Sequence, residues 1–327
     1  MFIRFFKNNT PSYFFILPLF ALVFWIVAFM GVPPLVSSHS SSLFNVMAGY
    51  VNAFRFIGTC VSFLLVTTGA FLINLVFNES EILERKTFLP ALFYFVFMSN
   101  NESMLVFHPA MIANIFIILS IHSMYNAYRK TVAFSQLFDA GMLLSVASVF
   151  YFPSIILFPV LIFGLIVFRA YNWREWLITL FGALVPYCFV LTYCFWNDSL
   201  LAYWHDKLAY FVYHDRPSFE FTSSFYFLMT MAVIIAFLSL SKLANSVLAG
   251  SQKAKKNLIY IIWFFLFSIA SLLLAPDLVS PYFSVLAIPF TFFASSYFFT
   301  MKKEGWGEIL FLLLISAILV NDFAKYF

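Results

Sequence analysis

Long apolar runs separated by short polar clusters recur from one end of this chain to the other. A helix crossing a hydrocarbon core of about 30 Å needs roughly 20 residues. By that measure the pattern predicts eleven helical segments, at about 12–30, 56–77, 87–98, 104–125, 134–150, 152–170, 175–195, 223–241, 258–274, 280–299 and 306–322. The third is too short to span alone, and it ends in the polar run Ser99-Asn100-Asn101-Glu102-Ser103. Only "YFPS", a tight turn, separates the fifth from the sixth. The expected fold class is all-α: a polytopic helical membrane protein, with 1–327 forming one membrane domain.

Composition points the same way. The 327 residues are 63% hydrophobic and 10% charged, with a mean hydropathy of +0.95. Soluble domains run at about 45–50% apolar and about 25% charged. So much apolar surface needs lipid as a partner. The 48 Phe supply rings for packing and for lipid contact, and say nothing of function. Cys60, Cys188 and Cys194 sit in apolar runs without a CxxC pair, and read as small buried hydrophobes.

Charge orients the segments. With the N-terminus inside, one side collects Arg4, Lys7, Arg85, Lys86, Arg129, Lys130, Arg169, Arg174, Lys242, Lys253, Lys255, Lys256, Lys302 and Lys303. The other side holds Arg55, Lys207, Arg216 and Lys325. The positive-inside rule then places the N-terminus in the cytoplasm and the C-terminus on the outer side of the membrane. Outer loops fall at about 31–55 and 196–222, and inner loops at about 78–86, 126–133 and 242–257. Arg4 and Lys7 precede the first run, and no small-residue cleavage site comes before Gly31-Val32-Pro33-Pro34, so an uncleaved first span is expected. Neither GxxxxGK[ST] nor GxGxxG occurs, which argues against nucleotide-driven work by this chain. Nothing suggests a cofactor, and nucleic acid is not an expected partner.

The densest polar stretch is "YWHDKLAYFVYHDRPSFEF", with His205-Asp206 and His214-Asp215, each followed by a cation. On one continuous helix, positions nine apart differ by about 900°, so the two pairs face opposite ways. The interleaved rings of Tyr203, Trp204, Tyr210, Phe211 and Tyr213 suit a helix lying at a membrane surface. No metal site is expected, because the His-Asp spacing is not that of a ligand set. Glu102, His205 and Asp206 are the candidate acids and bases. Arg55, His108, His214, Asp215 and Arg216 are candidates for binding a substrate, with the cations suited to a phosphate. His108 lies just before Pro109, where a helix is expected to be locally unsatisfied. On the inner side, "FRAYNWREWLI" has the two Arg and two Trp of a membrane anchor.

The stretch 138–196 carries paired apolar runs, a Phe-Pro turn, an Arg-Trp-Arg-Glu-Trp inner loop and Gly-x-x-x-Pro. In these features the chain resembles a family of uncharacterised multipass inner-membrane proteins of Bacteroidota. In span pattern it is also distantly similar to GT-C-type lipid-dependent glycosyltransferases. That similarity implies an outward site handling a polyprenyl-phosphate-linked sugar, in cell-envelope glycan or lipid-carrier metabolism. The first outer loop, however, lacks the Asp or Glu such enzymes use. The alternatives are a non-enzymatic membrane subunit in envelope assembly or protein export, and a transporter.

Overall fold

The computed structural model describes residues 2–7, 10, 12–31, 55–83, 85–100, 104–128, 130–169, 172–212, 223–249, 251–273, 280–301 and 304–323. All regular structure among them is helical. The helices are α1 (Phe2–Phe6), α2 (Tyr13–Gly31), α3 (Arg55–Glu79), α4 (Leu89–Met98), α5 (Pro109–Asn126), α6 (Phe134–Phe150), α7 (Phe158–Phe168), α8 (Trp173–Trp196), α9 (Leu200–Val212), α10 (Ser223–Ala249), α11 (Gln252–Leu273), α12 (Ala287–Thr300) and α13 (Glu304–Phe323). Short 3₁₀ helices at Phe152–Leu157 and Ser280–Val285 lead into α7 and α12.

Five of these are long and apolar enough to cross a membrane: Phe56–Glu79, Pro109–Asn126, Trp173–Trp196, Gln252–Leu272 and Phe283–Thr300. Six further apolar helices are shorter, including Tyr13–Ile26, Leu89–Met98 and Phe134–Phe150. The chain is thus an all-helical membrane protein. Every residue of α4 is buried. A ten-residue helix cannot face lipid along a full span, and here protein surrounds it on all sides. The tight turn expected between α6 and α7 is a 3₁₀ turn that starts at Phe152, with Pro153 in its first positions. Pro lacks an N–H and favours a helix start, which explains the break after Tyr151.

Lipid is as apolar as Leu, so close packing and polar contacts, not burial alone, hold such helices together. The closest approach joins α6 to α8. A Cβ on Gly141 would lie 2.3 Å from the Thr179 carbonyl oxygen, and one on Gly182 would lie 2.2 Å from that of Phe138. Only glycine lets the two backbones meet like this. Ser148 Oγ and Tyr187 OH share a 2.7 Å hydrogen bond further along the same pair. Aromatic rings fill the wider gaps: Phe93 sits 4.9 Å from Phe298, and Phe163 stacks on Trp263 at 3.9 Å. Cys194 is buried as expected, but Cys188 is exposed, because it lies on the side of α8 away from α6.

Candidate functional site

The helix ends gather at two poles. At one pole, His108 begins α5 and its ring lies 6.2 Å from that of Tyr151. Asn114 Nδ2 donates to the Ser284 carbonyl at 3.0 Å, and Ser271 Oγ donates to that of Pro153 at 2.8 Å. These bonds tie α5 and α11 to the two 3₁₀ turns. Arg55 opens α3 at this same pole, where Val61 packs on Phe107 and Ile112.

The local sequence explains His108. Its backbone is extended, Pro109 occupies the first helical turn, and its Nδ1 accepts the Ala110 N–H at 3.1 Å. The residue is therefore the N-cap of α5. That bond requires a lone pair on Nδ1 and so fixes the ring's tautomer. The locally unsatisfied turn expected before Pro109 is absent, because the helix starts there rather than passing through. His108 is only 5% exposed.

The chain reaches α9 through a built turn. Asp198 takes a left-handed conformation with φ 51°. Ser199 N–H donates to the Cys194 carbonyl at 2.9 Å, and the Ser199 carbonyl accepts the Tyr203 N–H at 2.9 Å. The fold-back puts Lys207 Nζ 4.6 Å above the Phe152 ring and 5.5 Å from that of Tyr203. His205, two residues earlier, lies about 200° away around the helix and is exposed, as are Leu201 and Trp204. So Arg55, His108, His205 and Asp206 belong to one pole by their places on α3, α5 and α9, but His108 is sealed in while His205 points out. The side chains of Arg55 and Asp206, and all of Glu102, His214, Asp215 and Arg216, lie outside the described residues.

The opposite pole holds the best-built polar centre, which the sequence did not single out as a site. Arg169 caps the end of α7. Its Nε donates to Glu175 Oε2 at 2.9 Å, and its Nη2 donates to Glu175 Oε1. Its Nη1 donates to the Ala127 carbonyl at 3.2 Å and to that of Lys130. One guanidinium thus joins the last turn of α5, the end of α7 and the first turn of α8. It serves carbonyls that a helix C-terminus leaves without partners. Glu175 is 3% exposed. Asn172 caps α8 by accepting the Arg174 N–H at 3.2 Å, which sets Glu175 one turn in. The cap at Asn172, between an Arg and a Glu six apart, was the available signal. Trp173 and Arg174 are exposed and suit the expected anchor, whereas Arg169 and Glu175 turn inward.

Smaller contacts extend this pole. Glu81, left-handed at φ 57° just past α3, pairs with Lys253 at 2.8 Å. Glu79 meets His122 at 2.8 Å, and Asn257 Nδ2 donates to the Ser80 carbonyl at 2.7 Å. Among the described residues, no three of His, Cys, Asp and Glu group as metal ligands.

No curated protein and no solved structure matches the chain. The family model of DUF6427, a family of unknown function, matches residues 36–327, and the chain belongs to that family.

Proposed function

We propose that this chain is a non-enzymatic membrane subunit of cell-envelope assembly or protein export. It crosses the cell inner membrane with eleven segments, and its Arg169 pole faces the cytoplasm. The cations Lys130, Arg174, Lys253, Lys255 and Lys256 near that pole support the orientation.

The observation that carries the functional reading is the separation of His108 from His205. A binding group and the acid or base that acts beside it must reach one substrate. His108 spends its Nδ1 on a helix cap inside the protein, and His205 is exposed on α9. The strongest polar contacts at both poles bind one helix end to another, as a packing subunit requires.

The competing reading is a GT-C-like transferase using a polyprenyl-phosphate-linked sugar. One experiment separates the two. A deletion strain is complemented with the wild type, with an Arg55→Ala/His205→Ala/Arg216→Ala triple variant, or with Gly182→Leu. Envelope glycolipids and membrane-protein abundances are then measured by mass spectrometry. The subunit reading predicts that deletion and Gly182→Leu deplete other membrane proteins, and that the triple variant restores them without accumulating precursor. Lipid-linked sugar accumulating in the triple variant, with that protein still in the membrane, would overturn it in favour of the transferase.

A further inference from the structure

A cleft opens at the Arg169 pole between α1, the end of α12 and the first turn of α13. Ile3, Arg4, Lys7, Phe298, Met301, Gly307 and Glu308 line it. About 230 Å³ of space lies in and above it, part of it open to solvent. The backbone that carries the two cations is held in place by the fold. Ile3 and Phe6 are buried, and the Phe6 carbonyl accepts both the Phe88 N–H and the Thr87 hydroxyl, each at 3.0 Å. The five-residue α1 is therefore clamped to the start of α4. Gly307 contributes the slot: a Cβ there would sit 3.4 Å from Met301 Sδ, 3.7 Å from Phe298 and 3.8 Å from Ile3. Exposed Phe5 and Trp306 lie on the same elements, as rings at headgroup level do.

We infer that this cleft binds the phosphodiester headgroup of a phospholipid, with Arg4 and Lys7 on the phosphate and Ile3, Phe298 and Met301 against the glycerol and upper acyl chain. Among the described residues lining the cleft, two cations stand against the single carboxylate of Glu308, a balance suited to an anionic phosphodiester. Basic clefts between membrane helices are suited to such headgroups. The inference rests on the membrane-spanning reading, but not on which way the chain faces or what it assembles with.

The test uses the full chain purified in detergent, with phosphatidylglycerol, diacylglycerol and inorganic phosphate as probes, read by native mass spectrometry. Phosphatidylglycerol should bind, and diacylglycerol, which lacks the phosphate, should not. Arg4→Gln with Lys7→Gln should weaken phosphatidylglycerol by about thirty-fold, at the usual contribution of a cation near a charged lipid surface. Gly307→Ala should weaken it too by narrowing the slot, and the ordinary contacts around an added Cβ allow the fold to survive. Lys130→Gln with Arg174→Gln, exposed cations elsewhere at this pole, should leave it unchanged. Equal weakening by that second pair, or no weakening by either cleft variant, would overturn the site. Inorganic phosphate binding as tightly as phosphatidylglycerol would overturn the lipid assignment. Release of the chain from membranes by carbonate would instead sink the membrane reading, and is scored separately.

Discussion

Gly141 and Gly182 place the backbones of α6 and α8 in direct contact, each glycine facing a carbonyl oxygen of the other helix. Neither approach leaves room for a methyl group. Gly182→Ala should therefore push the helices apart and cost about 1–3 kcal/mol, the usual range for overpacking. Gly182→Leu should cost more. Thermal unfolding of the purified protein in detergent measures both, and an unchanged midpoint for Gly182→Ala would contradict the contact.

Arg169 and Glu175 form a second joint. Arg169→Ala strands a buried carboxylate and should lower stability by about 3–5 kcal/mol. Arg169→Met combined with Glu175→Met should cost less than either single change, because no charge is then left unpaired. Arg169→Lys should not restore the wild type, since an ammonium cannot serve the carboxylate and two carbonyls in one plane. The same unfolding measurement ranks these variants.

His108 gives a prediction that separates capping from chemistry. His108→Ser keeps a side-chain acceptor at the start of α5 and should retain most of the stability, while His108→Ala should lose about 1 kcal/mol. In complementation of a deletion strain, His108→Ser should behave as wild type. Failure of a stable His108→Ser protein would return His108 to the candidates for binding a substrate.

Asp198 holds a left-handed backbone that glycine adopts without strain. Asp198→Gly should be neutral or stabilising, by up to about 1 kcal/mol. A marked loss of stability would mean that the carboxylate does more than occupy the turn.

These joints mark the limit of what was readable in the sequence. Helices occur at each of the eleven apolar stretches, because twenty apolar residues between polar clusters have few other folded solutions when lipid is the solvent. The shortness of α4 was legible too, but not its enclosure, which depends on neighbours distant in the chain. The exposed Leu201, Trp204 and His205 fit the surface placement expected of α9. The left-handed turn at Asp198 that folds it onto Phe152 was not legible, since Asp at a helix end fits several turns. The Arg169–Glu175 joint was hidden because both residues also fit a membrane anchor, and only the cap at Asn172 distinguishes them. His108 was misjudged at the helix start for a similar reason: Pro109 reads as a kink within a segment drawn from 104, and as a first turn once the helix begins at Pro109.

The central claim is a membrane-spanning bundle whose two poles lie on opposite sides of the membrane. It is tested most directly by cysteine labelling in spheroplasts, in a background with Cys60, Cys188 and Cys194 replaced by Ser. Asn197→Cys sits at the His108 pole, and Lys130→Cys and Ser251→Cys sit at the Arg169 pole, all at exposed positions. A membrane-impermeant maleimide should label Asn197→Cys in intact spheroplasts, and should reach Lys130→Cys and Ser251→Cys only after the membrane is opened. Labelling of all three from outside would contradict the account.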